Sequence, residues 1–114
     1  MKIEKYDFGE IIINGKKYTR DLIIFPDKIK ENWWRKEGHS LCIEDLKEVI
    51  EYKPEILIIG TGYSGVMEVK EEVIKELERN NIKVIIKKTK EAVNIFNEYM
   101  DRNKKVVCAL HLTC

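Results

Sequence analysis

The stretch Glu55-Ile56-Leu57-Ile58-Ile59-Gly60-Thr61-Gly62-Tyr63-Ser64-Gly65 decides how this chain folds. After Glu55 its apolar run shows no polar alternation, the pattern of a strand covered on both faces in a parallel sheet. The glycines that follow end the run and let the chain turn tightly or pass close to other backbone. Downstream, Val69, Val73, Ile74 and Leu77 recur at helical spacing and predict a helix over 68–80, with Asn80-Asn81 suited to its C-terminal turn. Ile82 to Ile86 reads as the next strand. Thr89 is placed to cap a helix running to about Arg102, with Ala92, Phe96, Tyr99 and Met100 facing inward. Lys104 to Leu112 supplies the last strand. Residues 55–114 thus read as a βαβαβ unit, and right-handed crossovers make its strands parallel.

Upstream the pattern changes to β. Ile3 to Phe8 and Glu10 to Ile13 are short strands, and Asn14-Gly15 is a hairpin signal because both residues accept positive φ. The return strand spans Lys17 to Phe25 and Pro26 stops it. Residues 27–39 read as irregular, Ser40 to Ile43 as a short strand, and Glu44 to Tyr52 as a helix with Leu46, Val49 and Ile50 on one face and Pro54 closing it. The expectation is one α/β domain over 1–114, with a β-meander layer and Trp-rich segment in 1–43 and the α/β part in 44–114. Its architecture is a three-layer domain: a central mixed, mostly parallel sheet flanked by helices, and the N-terminal β-meander as a further layer.

At 114 residues the chain closes a core without metal or disulfide staples. A net charge of +1, with both signs interspersed, offers no field for nucleic acid or an anionic membrane. No apolar run reaches spanning length and the N-terminus has no signal-peptide core, so the expected location is cytoplasmic. Glu, Lys and Ile are abundant and Gln is absent, the bias of thermophile proteins. Cys42, Cys108 and Cys114 form no framework and read as reduced thiols.

Gly60 to Gly65 matches G-x-G-x-x-G after a strand, but the helical period starts late, and the next strand ends in Lys87-Lys88 rather than the acid that would hold a ribose. The loop therefore reads as a turn or as a site for a small anion, with Gly60, Thr61, Gly62, Tyr63, Gly65 and Arg35 as its contacts and no cofactor. Trp33 and Trp34 are adjacent on an extended segment and point to opposite faces, so one can be core while the other sits at the surface as a protein contact; the alternative is that both indoles cover the open edge of the core. His39 has no paired nucleophile; it reads as a structural histidine, or as the weak acid/base of an enzyme. Cys108-x-x-His111-x-x-Cys114 suggests a metal, yet His111 faces away from the two cysteines on a straight strand and three ligands fall short of a site, so none is expected. Glu44-Asp45 and Glu71-Glu72 read as solvated carboxylates at helix starts.

Trp34-Arg35-x-x-Gly38-His39-Ser40, Leu57-x-Ile59-Gly60-Thr61-Gly62, Thr89-x-x-Ala92-x-x-x-x-Asn97 and His111-x-Thr113-Cys114 follow one another along nearly the whole chain. Together these blocks resemble the small conserved domain of many archaeal and bacterial proteins, shared with the adipogenesis-associated protein of animals and a mitochondrial respiratory complex I assembly factor. The resemblance implies the three-layer fold and no particular reaction. The function expected is a non-enzymatic module that binds a protein partner, or a small anionic ligand regulating such binding. The alternatives are an enzyme using His39 near the Gly60–Gly65 loop and a structural homo-oligomer.

Overall fold

The computed structural model describes residues 1–102 and 105–114; the expected start of the last strand at Lys104 lies outside them. The strands are β1 (Ile3–Asp7), β2 (Glu10–Ile13), β3 (Lys16–Tyr18), β4 (Leu22–Phe25), β5 (Lys28–Lys30), β6 (Ser40–Leu41), β7 (Ile56–Gly60), β8 (Glu68–Val69), β9 (Lys83–Lys87) and β10 (Val106–Leu110). A 3-10 turn at Ile43–Leu46 leads into helix α1 (Lys47–Tyr52), and α2 (Glu71–Arg79) and α3 (Thr89–Met100) complete the fold.

The central sheet has the order β5-β4-β10-β7-β9. The β10–β7–β9 part is parallel, and β4 and β5 extend it antiparallel. Every residue of β4, β7 and β10 is buried, which is why these runs lack polar alternation. The chain steps from β7 to β9 in one direction and back past β7 to β10 in the other. With crossovers of one hand, the two helices must then leave on opposite faces. They do. Helix α2 joins α1, Trp33 and Leu41 in a core on one face, with Ile23, Leu57, Ile59, Val107 and Ala109 from the sheet. Helix α3 and the β1-β2-β3 meander cover the other face through Phe96, Ile3, Ile11 and Ile13, against Leu22, Ile58, Cys108 and Leu110.

Several boundaries differ from the sequence reading for physical reasons. The expected strand Lys17–Phe25 is two strands in two sheets, because the apolar run must leave the meander to enter the central sheet. The break falls at Thr19-Arg20-Asp21, where the Asp21 Oδ1 accepts the Leu112 amide at 2.7 Å and fastens the corner to the end of β10. Residues 27–39 are not wholly irregular, since β5 returns along β4 as an edge strand with lysines at both ends. Glu68-Val69 are not helical: they pair in parallel with Ser40-Leu41, and the helix begins three residues later. Thr89 is the first helical residue rather than a cap, and its hydroxyl serves the site described next.

Candidate functional site

The carboxyl ends of the parallel strands are where open α/β sheets place ligands, above all where neighbouring strands send their chains to opposite faces. Here that point lies between β7 and β9, and the chain has sewn it shut. The Thr61 amide and hydroxyl both donate to the Lys87 carbonyl, at 2.9 and 3.2 Å. The Gly62 amide donates to Thr89 Oγ1 at 2.8 Å, while that hydroxyl donates to the His111 carbonyl at 2.6 Å.

The glycines are explained by what passes over them. A Cβ on Gly62, whose φ is +111°, would lie 2.5 Å from the Thr113 carbonyl oxygen and 2.9 Å from His111 Cδ2. One on Gly60 would lie 2.7 Å from Leu110 Cδ2 and 2.9 Å from Thr89 Oγ1. Residues 111–114 run across the loop, taking the Tyr63 amide on Thr113 and the Val66 amide on Cys114. An anion in the expected cradle would have to displace the bonds of Gly62 and Tyr63. Gly65 packs near Lys88, and helix α2 starts too far along to offer its N-terminus to the loop.

Beside this loop lies a buried charge network that the sequence reading missed in part. Asp21 Oδ2 stands 2.7 Å from Arg35 Nη1 and 2.8 Å from His111 Nδ1. Arg35 Nη2 donates to the Gly38 carbonyl at 3.0 Å and also sits 3.0 Å from His111 Nδ1. One proton assignment satisfies these contacts best: an ionised Asp21 facing Nδ1 at 2.8 Å requires the hydrogen there, so Arg35 Nη2 donates to the Gly38 carbonyl and not to His111. Burial alone would raise the Asp21 pKa, but hydrogen bonds from His111, the Leu112 amide and Arg35 hold it below the usual carboxylate value. Arg35 Nε and His111 Nε2 are buried without a hydrogen-bond partner among the described residues. Arg35 thus faces Asp21 and the Trp33 ring, 4.9 Å from its guanidinium carbon, rather than solvent. On the other side of the closing tail, the Tyr6 hydroxyl donates to the Leu112 carbonyl at 2.8 Å, and burial raises its pKa to about 12.

The two tryptophans differ in burial, so they do not both cover the edge of the core. Trp33 is buried, its indole donating to the Asp45 carbonyl at 3.0 Å and its amide to the Asp21 carbonyl at 2.8 Å. Trp34 is 82 % exposed. Asp45, read as a solvated cap, instead accepts the amides of Lys36 and Cys42 at 3.1 and 3.0 Å and anchors the same segment. Trp34 borders a cleft of about 570 Å³ with Arg20, Asp21, Asn32 and Thr113. Next to Thr113, whose carbonyl accepts the Tyr63 amide at 3.3 Å, stand the exposed rings of Phe8 and Tyr63, with centroids 5.7 Å apart.

His39 is exposed, and its ring centre lies 5.9 Å from that of His111. Cys108 and His111 point to opposite faces of β10 and its extension, and no group of three His, Cys, Asp or Glu among the described residues is placed to hold a metal. Burial pushes the Cys108 thiol well above its usual pKa; Cys42 is also raised, by burial and by the carboxylates of Asp45, Glu37 and Glu44. No helix among the described residues is long and apolar enough to cross a membrane.

The fold recurs in known proteins. A conserved hypothetical protein from Pyrococcus horikoshii OT3 is 31 % identical, with 100 % of both chains covered and a TM-score of 0.87. A Bartonella henselae structure described as an outer membrane protein shares the fold at 24 % identity, covering 98 % of this chain and 94 % of its own, with a TM-score of 0.84. A Bordetella pertussis Mth938-like domain does so at 17 % identity, over 97 % of this chain and 85 % of its own, with a TM-score of 0.79. Residues 3–111 match a family model described as a protein of unknown function, and the chain belongs to that family, DUF498/DUF598.

Proposed function

We propose that this chain is a non-catalytic binding module that receives a partner protein on the surface around Trp34. The observation carrying this reading is how Trp34 is held. Its neighbours Trp33 and Arg35 are both buried and hydrogen-bonded, so the backbone between them is pinned on both sides while the indole projects into solvent. An exposed aromatic already ordered before binding loses little freedom on contact and makes an effective anchor. Phe8 and Tyr63 are two further exposed aromatics, set beside Thr113, which lines the Trp34 cleft.

The enzyme reading is weaker on geometry. Asp21 orients His111 as a general base is oriented, but His111 Nε2 is shut from solvent, and no hydroxyl or thiol among the described residues is hydrogen-bonded to it. His39 makes no side-chain hydrogen bond among the described residues that would orient it.

The test is affinity capture from cell extract with wild type, Trp34→Phe and Trp34→Ala at matched thermal stability. A protein retained by the first two and lost on Trp34→Ala supports the reading. Identical captured sets for all three overturn it.

A further inference from the structure

The cleft beside Trp34 does not end there. A second hollow of about 170 Å³ shares Thr19, Arg20 and Asn32 with it and runs on to Lys17 and Tyr18. The two form one trough along the corner between β3 and β4, where the backbone of Thr19 and Arg20 belongs to neither sheet. An aromatic ring stands near each end.

The charges along this trough are not equivalent. Lys17 is taken by Glu10 at 3.0 Å, and Glu31 by Lys16 at 3.8 Å. The Asp21 carboxylate is occupied by Arg35, His111 and the Leu112 amide. Arg20 is exposed and makes no ion pair among the described residues. The uncompensated charge of the trough is therefore one guanidinium, whose fork matches a carboxylate, set between hydrogen-bonding side chains and the Trp34 indole. A lone cation offers no stripe for a phosphate backbone.

We propose that the trough receives an extended acidic segment of the partner, with a carboxylate on Arg20, an apolar side chain against Trp34, and main-chain groups on Asn32 and Thr19. This rests on the partner-binding reading and names the partner's chemistry.

The probe is a capped acidic pentapeptide with a central Phe, compared with a twin carrying Lys for each acid and with orthophosphate. The readout is the ¹⁵N–¹H spectrum of labelled protein. The acidic peptide is expected to give saturable shifts at Thr19, Arg20, Asn32 and the Trp34 indole, with affinity falling about tenfold in Arg20→Glu. The twin and orthophosphate should leave those signals in place. Absence of saturation at millimolar peptide, equal shifts from the twin or from orthophosphate, or unchanged affinity in Arg20→Glu overturns the proposal. A partner that depends on Trp34 but not on Arg20 would sink the acidic segment alone and leave the binding module standing.

Discussion

Asp21 and His111 lie 90 residues apart in the chain and 2.8 Å apart in space. The same carboxylate also holds Arg35 and the Leu112 amide, so a corner between two sheets, the Trp segment and the end of β10 meet on one side chain. Replacing Asp21 by Ala leaves the Arg35 guanidinium, whose side chain is 5 % exposed, without its counter-charge. The expected loss is about 3 kcal/mol or more by urea unfolding, because a buried charge stripped of its partner keeps its desolvation penalty. A loss under about 1 kcal/mol would mean that Arg35 readily turns to water or another acceptor.

The same carboxylate gives stability a pH dependence of defined sign. Its folded-state pKa is lowered, so on acidification the unfolded chain takes up this proton first. The Asp21 contribution is fully present above the unfolded value of about 3.9 and is lost as pH falls through the folded value. The stability difference between wild type and Asp21→Asn should therefore shrink as pH drops below about 4. Parallel acid limbs for the two proteins would show that Asp21 is not the group responsible.

Tyr6 should behave oppositely in base. With its pKa raised to about 12 by burial, its ionisation in an ultraviolet titration of wild type against Tyr6→Phe is expected near pH 12, and its contribution is lost as pH climbs from about 10 through 12. Tyr6→Phe removes the bond to the Leu112 carbonyl and should cost about 1 kcal/mol at neutral pH.

Two glycines separate close approach from mere turning. Gly38 has open space where a Cβ would sit, and its φ is not in the left-handed region, so Gly38→Ala should be neutral or stabilise by up to about 1 kcal/mol. Gly62→Ala meets both positive φ and the Thr113 carbonyl, and should cost about 2 kcal/mol or more. Thermal unfolding of the pair decides it. Equal melting temperatures would mean that the 111–114 crossing is not held against the loop.

The parts of this fold that were legible in the sequence were those with a local cause. The continuous apolar runs of β7 and β10 can be covered only on both faces, and the spacing of Ala92 and Phe96 leaves little choice but a helix. What was not legible depends on contacts distant in sequence. Nothing near Asp21 shows that its carboxylate meets residue 111, and although the apolar run Leu22 to Phe25 points to a buried layer, nothing in Lys17 to Phe25 shows that the strand changes sheets at Thr19-Arg20-Asp21. Strand alternation sets His111 opposite Cys108, yet it could not show that Asp21 would be its partner. The Gly60–Gly65 loop looks like a ligand motif because close backbone approach has the same sequence signature whether the approaching group is a phosphate or the protein's own tail.

Trp33 and Trp34 offer the sharpest separation of stability from binding. Trp33 is 4 % exposed, packs in the core with Phe25 and Leu41, and donates to Asp45, so Trp33→Ala should cost about 3–5 kcal/mol through a cavity and a lost bond. Trp34 touches mostly water, and Trp34→Ala should change stability by no more than about 0.5 kcal/mol. Fluorescence reports the same asymmetry: removing Trp34 should take away the red-shifted, quencher-accessible part of the emission and leave the blue-shifted part from Trp33. If Trp34→Ala proves as destabilising as Trp33→Ala, the exposed indole is a piece of the fold and the surface proposed for a partner loses its anchor. If it leaves stability untouched and still abolishes capture of a partner, the ring is there for contact.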